Sequence, residues 1–257
     1  MIAVDKLCYR SKLRYVNAGE KFAYSMLTLL FCIVSRSFVL SAAVLLVNSI
    51  LTVGKGGLPL HRYISLMAVP SAFLIFSTLA IIVNISKIPL DGYALPVGAF
   101  FITGSKASVL FGLRLIVTAV AAVSSLYFLS LNTTMTDIMA VLSRLHCPRI
   151  ILELMLLIYR YIFVLMETAS AMLVSQKARL GHKDFKTSLR SFGSMGAALL
   201  IRAFQRSVSL YDAMESRCYD GRIRVLDEQH PAKSSEIAFI ILYELVLLAY
   251  TVWRRVA

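Results

Sequence analysis

Acidic residues are scarce in this chain: fourteen Asp and Glu stand against twenty-seven Lys and Arg, a formal charge of +13 over 257 residues. Charge of either sign is thin at 16%, where a globular domain carries roughly a quarter. With 58% hydrophobic residues and a mean hydropathy of +0.75, these proportions exclude an ordinary soluble protein, and lipid must supply the missing polar surroundings. The four cysteines, Cys8, Cys32, Cys147 and Cys218, lie far apart, with no Cys-x-x-Cys pair and no His at ligand spacing. A disulfide framework and a zinc site are therefore not expected, and buried free thiols are. The phosphate-binding pattern G-x-x-x-x-G-K-[ST] is missing, because Gly54-Lys55 has no Ser or Thr after it and no Gly five residues before it. H-E-x-x-H and G-x-S-x-G are missing too, and His61, His146, His182 and His230 stand singly, as solvated or capping residues do. No catalytic residue, metal ligand or cofactor is expected.

What remains is a series of apolar runs. Tyr63 to Ile85 holds no charge and twelve Leu, Ile, Phe or Val, worth about 5 kcal/mol of membrane insertion. Ala107 to Leu131 contains only Arg114, near one end. Phe22 to Val53 would reach roughly 48 Å as one helix, beyond a hydrocarbon core of about 30 Å, so it divides into two spans at Ser35, Arg36 and Ser37. A fifth span runs from Ile237 to Trp253 and ends on Arg254 and Arg255. Five of the basic residues fall within residues 1–21 and fourteen within 144–233. Both stretches are expected on the cytoplasmic side, with an even number of spans between them and the C-terminus outside. Ser86 to Lys106 carries Pro89, Gly92, Pro96, Gly98 and Gly104 and reads as an external loop, or as a re-entrant segment touching another membrane protein.

Two further helical patterns are too charged to span. In Ile150 to Val174, Glu153, Arg160 and Glu167 recur every seven residues and form one polar stripe. Their insertion cost of about 9 kcal/mol exceeds the roughly 6 kcal/mol gained by its thirteen large aliphatic and Phe residues. This is the pattern of an amphipathic interfacial helix. After a basic elbow, a second pattern runs from about Thr187 to Tyr219, with Gly193, Gly196, Ala197 and Ala198 as a surface where a helix can approach. Gly221 marks the exit, and a polar linker ends at Pro231. The fold expected is an all-α integral membrane protein with about five transmembrane helices: residues 1–143 with four spans, a cytoplasmic module at 144–233, and a last span at 234–257.

Each of the two charged helices ends on a small residue followed by Arg, in Ala178-Arg179-Leu180 and in Ser216-Arg217-Cys218, 38 positions apart. A small residue admits a partner backbone, and a guanidinium offers five fixed donors to a carboxylate or to carbonyls. Solvated helix ends and lipid-phosphate contacts give the same pattern. With these units stand the run Tyr9-Arg10-Ser11-Lys12-Leu13-Arg14-Tyr15-Val16-Asn17, Glu20-Lys21, Leu131-Asn132-Thr133-Thr134, and Leu157-Ile158-Tyr159-Arg160-Tyr161 with Glu167. Together, from about Tyr9 to Leu226, the chain resembles the transmembrane T component of energy-coupling-factor transporters, in its cobalt and nickel, CbiQ-like branch.

That resemblance implies a non-enzymatic coupling subunit in a bacterial or archaeal cytoplasmic membrane. Its partners would be two ATP-binding ATPase subunits and a separate membrane subunit that captures the metal ion. Ala178, Arg179, Leu180, Ser216, Arg217 and Cys218 would be the ATPase-docking residues, with Leu180 and Cys218 in place of the family's Gly. The metal site would lie in the capture subunit, so none is expected here. On this reading the basic excess belongs to a docking module, not to general affinity for lipid or nucleic acid. A stand-alone secondary permease would need broken helices and internal repeats, which the sequence does not show. A membrane enzyme would have only Glu153, Arg160 and Glu167 to work with.

Overall fold

The computed structural model describes residues 3–82, 84–86, 93–97, 100–104, 106–221, 223, 231 and 233–256. In chain order they form α1 (Ala3–Arg10), a 3-10 turn (Lys12–Tyr15), α2 (Ala18–Ser35), α3 (Phe38–Ser49) continued by a π-helical stretch (Ile50–Lys55), and α4 (Leu60–Ile82). Three short strands follow, β1 (Asn84–Ser86), β2 (Tyr93–Val97) and β3 (Phe100–Gly104), then α5 (Lys106–Asn132), α6 (Met135–Arg144), α7 (Arg149–Ala178), α8 (Phe185–Glu215) and α9 (Ser234–Val256). This is an all-α integral membrane protein carrying one small sheet. The contacts divide it into two compact units, one within residues 139–227 and one built from residues 2–138 and 228–257.

Five stretches are long and apolar enough to cross a bilayer: Ala18–Ser35, Phe38–Lys55, Leu60–Leu79, Ser108–Asn132 and Ser234–Arg254. They match the expected spans, including the division after Ser35. Arg36 adopts a left-handed φ of 44°, which stops α2, and its N–H still closes onto Cys32 O. Ser37 is extended and starts α3 in the reverse direction. Asn17 begins α2 by accepting the Gly19 N–H on Oδ1 at 2.9 Å. Helices α7 and α8 are not among the candidate spans, in keeping with the charge spread through them.

The segment Ser86 to Lys106, expected as a turn-rich loop, differs. Together with Asn84 and Ile85, its described residues before α5 pair as an antiparallel sheet in the order β1-β3-β2, with Asn84 opposite Thr103 and Leu95 opposite Ile102. Tyr93, Val97, Phe100, Phe101, Ile102 and Thr103 are strand-favouring residues, a propensity that the turn signals around them conceal.

The spans are tied by polar side chains as well as by apolar packing. Tyr24 OH donates to Asn48 Oδ1 at 2.8 Å, Asn48 Nδ2 donates to both Ser124 Oγ and Ser125 Oγ at 3.0 Å, and Ser25 Oγ donates to Ser125 O at 2.7 Å. These bonds lock α2, α3 and α5 together, in surroundings where an unpaired amide would be costly. Cys32, Leu40, Val44, Ala121 and Leu247 form the adjoining apolar cluster. Leu247 belongs to α9, whose direction the contacts define. Near its start, Phe239 lies under Lys55 Nζ, with Nζ 5.5 Å from the ring centroid; midway, Tyr243 and Tyr24 have ring centroids 5.6 Å apart. Near its end, Tyr250 OH and Ser37 Oγ are 3.1 Å apart and Arg254 Nη1 donates to Ser35 O. The last helix thus runs parallel to α2, so the two chain ends emerge on opposite sides of the bundle.

At the N-terminal end of the bundle, Lys21 is buried, 3% exposed. Its Nζ donates to Asn132 O at 2.8 Å, placing a cation on the carbonyl that ends α5, and to Leu13 O of the 3-10 turn at 3.0 Å. Ser11 Oγ donates to Asn132 Oδ1 at 2.6 Å, and Lys12 N–H donates to Gly56 O. A Cβ at Gly56 would press on Thr52 O and on Asn132 Oδ1, so only glycine lets α3 and α5 meet there. The start of α2, the end of the π-helical stretch and the end of α5 are therefore together, as four spans between them require.

Candidate coupling site at two helix ends

Within their own unit, α7 and α8 form an antiparallel hairpin joined at both ends. At the elbow, Gln176 Nε2 donates to Ser191 O at 2.9 Å and Ser191 Oγ donates to Gly181 O at 2.8 Å. A Cβ on Gly181 would meet Gln176 O and Ser191 Oγ, each at 2.9 Å, so this glycine permits the close turn. At the far end, Tyr219 OH donates to Glu153 Oε2 at 2.6 Å, and this bond raises the Tyr219 pKa above its ordinary value. The polar stripe is thus divided. Glu153 braces the hairpin while Arg160 and Glu167 are exposed. Seven helical residues rise about 10 Å, too far for the three to act on one reacting group.

Both hairpin ends close with the same backbone device. After α7, Gly181 N–H reaches back to Gln176 O at 2.8 Å and Leu180 N–H to Lys177 O at 3.1 Å. After α8, Tyr219 N–H reaches Met214 O at 3.1 Å and Cys218 N–H reaches Glu215 O at 2.9 Å. This nested pair of bonds is the Schellman closure, which needs a left-handed residue one place beyond the helix cap. Leu180 and Cys218 both have φ of 56°. Arg179 and Arg217 occupy equivalent cap positions, and Ala178, Arg179, Leu180, Ser216, Arg217 and Cys218 are all exposed. The small-Arg pattern in the sequence is therefore two copies of one three-dimensional unit, each braced against the opposite helix.

The left-handed conformation gives the departure from glycine a physical meaning. An L-residue there costs roughly 1–2 kcal/mol, partly offset by glycine's greater freedom in the unfolded chain. Leu180→Gly and Cys218→Gly are each expected to stabilise their helix end by about 1 kcal/mol. Hydrogen exchange at Gly181 and Tyr219, whose N–H groups close the caps, should slow by about fivefold; faster exchange would overturn the reading.

Among the described residues nothing lies within 4 Å of a Cβ placed on Gly193 or Gly196, so this small-residue surface is open, and the contact between α7 and α8 falls at Gln176, Ser191 and Gly181. One expectation is corrected: burial of all four thiols does not hold, since Cys8 and Cys32 are buried, Cys147 is half-buried and Cys218 is exposed. Of the histidines, His182 Nδ1 pairs with Ser188 Oγ at 3.0 Å across the elbow, while His230 lies outside the described residues. No group of three or more His, Cys, Asp or Glu suited to a metal ion occurs among the described residues.

Comparison with known proteins places this geometry in context. A family model described as cobalt transport protein, CbiQ, matches residues 10–228. The chain is 34% identical over 254 residues to an uncharacterized protein of Methanocaldococcus jannaschii, covering 96% of this chain and 92% of that one. It is 31% identical over 192 residues to the cobalt transport protein CbiQ of Rhodobacter capsulatus, covering 74% and 73%. A protein of Methanocorpusculum labreanum, named as a fused cobalt transport protein CbiMQ, is 32% identical over 151 residues, 58% of this chain and 25% of that longer one.

Proposed function

The chain belongs to the CbiQ family of cobalt transport proteins, and from that premise we propose that it is the transmembrane coupling subunit of an ATP-driven uptake transporter of the energy-coupling-factor type, with cobalt or nickel as cargo. The observation that carries this reading is the duplication of one exposed arginine cap at the two ends of a braced hairpin. Two equal units suit a partner with two equal grooves, as a dimeric ATPase presents. Ala178, Arg179 and Leu180 enter one groove, and Ser216, Arg217 and Cys218 the other. Each guanidinium meets an acidic or carbonyl-rich pocket. The hairpin faces the cytoplasm of a bacterium or archaeon, as the fourteen basic residues within 144–233 favour. Closure of the ATPase halves brings the grooves together and moves the hairpin, which passes the displacement to a membrane subunit that captures the ion. The fused archaeal relative supports such a membrane partner. The coupling subunit itself carries out no chemical step.

Cys218 serves as a built-in reporter. It is exposed at the docking end, whereas burial pushes the Cys8 thiol up to about 11, leaving little thiolate to react. With Cys32 and Cys147 replaced by Ser, a bulky maleimide should label Cys218 readily in the isolated chain. Bound ATPase subunits should slow that labelling at least about tenfold, as expected of a residue at the centre of an interface. Equal labelling rates with and without the ATPase would sink the docking assignment at this end.

A further inference from the structure

The N-terminal charges lie outside the hairpin and need their own account. Helix α1 lies across the end of the bundle. Leu7 packs in one cluster with Leu58, Tyr63, Met67 and Leu131, and the Lys12 N–H is bonded to Gly56 O. The Lys12 methylenes pass along Gly57, 3.9 Å from where a Cβ would stand. This packing brings basic residues from three parts of the sequence to one face: Lys6, Arg10, Lys12, Lys55 and Arg62 are all exposed there. The nearby acids are less exposed. Both oxygens of Glu20 and Oδ2 of Asp5 are buried and Asp137 and Glu236 are half-buried, so the fully exposed charges at this end are cations.

We propose that this face binds the anionic headgroups of phospholipids in the adjoining leaflet. Its level decides the partner. The first and third spans begin, and the second ends, at Ala18, Leu60 and Lys55, so the face stands where hydrocarbon gives way to headgroups. Just beyond these cations, Leu60 and Ile64 remain exposed, as lipid-facing residues do. Tyr9 and Tyr15 are exposed at the same level, with the Arg14 guanidinium 4.8 Å above the Tyr9 ring. Aromatic side chains beside cations are the pairing that suits the interface. Phosphate and glycerol oxygens satisfy the cations, and the acyl chains cover the apolar residues immediately below.

The test is lipid titration of the purified full chain in detergent, followed by native mass spectrometry. Each cation near an anionic surface strengthens binding by about fivefold, so phosphatidylglycerol should be retained over phosphatidylcholine by more than about tenfold. A Lys6→Gln/Arg10→Gln/Lys12→Gln/Lys55→Gln variant should lose that preference, and a variant with Arg at the three lysines should keep it. An unaltered thermal transition in both variants shows that they fold. Millimolar inorganic phosphate should leave the bound lipid in place. Equal retention of the two lipids, a preference that survives the Gln substitutions, or displacement by inorganic phosphate would overturn the proposal. Protection of these lysines from acetylation by added ATPase subunits but not by phosphatidylglycerol would also overturn it, marking a protein interface instead. Loss of ATPase docking at Arg179 and Arg217 leaves the lipid-retention readouts unchanged, so the two proposals fail separately.

Discussion

An Arg179→Ala/Arg217→Ala double variant is expected to enter the membrane at the normal level and to lose its ATPase subunits on purification. Both side chains are exposed at helix caps and their backbone closures are made by other residues, so the hairpin persists without them. An arginine buried at an interface centre contributes on the order of 2 kcal/mol or more, about thirtyfold in affinity. Two independent units multiply to roughly a thousandfold, beyond what a complex survives during washing. Arg→Lys at both positions should fail nearly as well, because an ammonium cannot reproduce the planar fork. A single variant keeps one groove filled, so ATP-linked uptake should fall further than assembly. A complete complex recovered with the double alanine variant would refute the role given to these helix ends.

The largest effect on stability is expected at Lys21. Substitution by Met keeps most of the aliphatic stem but leaves Asn132 O without its donor, in a place where Lys21 itself is 3% exposed; Leu13 O keeps the Val16 N–H. One buried carbonyl left unpaired costs about 1–3 kcal/mol, and the end of α5 loses the cation that its dipole favours. For a chain of this size the thermal transition in detergent should fall by roughly 5–8 °C. Lys6→Met, on the exposed side of α1, should leave the transition unchanged. A shift at Lys21→Met below about 2 °C would mean that water already serves the Asn132 carbonyl. The effect should spread beyond the site, because Ser11, Asn132 and Gly56 join three chain segments there.

The five spans were legible because lipid imposes a length and an apolarity that few other structures share. Even the break after Ser35 followed from length, the polar Ser35-Arg36-Ser37 interruption and the charge balance, although the left-handed conformation of Arg36 carries no sequence signature. The polar contacts between spans were not legible. Asn48, Ser124 and Ser125 look like ordinary residues in an apolar run, and their bonding depends on which faces meet. The sheet between α4 and α5 was missed for a related reason: Gly and Pro mark where the chain bends, while strand pairing is a non-local event. Glu153 was picked out by its seven-residue spacing from Arg160, yet its partner Tyr219 lies 66 positions away and only the hairpin brings it close.

By itself, the sequence determined that this is a multi-pass membrane protein with a charged pair of long helices, since hydropathy and charge spacing act along the chain. It also marked both arginine units. The tertiary structure alone decided that the units are one repeated cap, because equivalence of Leu180 and Cys218 rests on backbone angles that neither side chain prefers. It also decided that the last helix runs parallel to the first span, and that the N-terminal cations share a face with Lys55 and Arg62. Those outcomes depend on contacts between distant segments, where burial and hydrogen bonding, rather than local preference, select the arrangement.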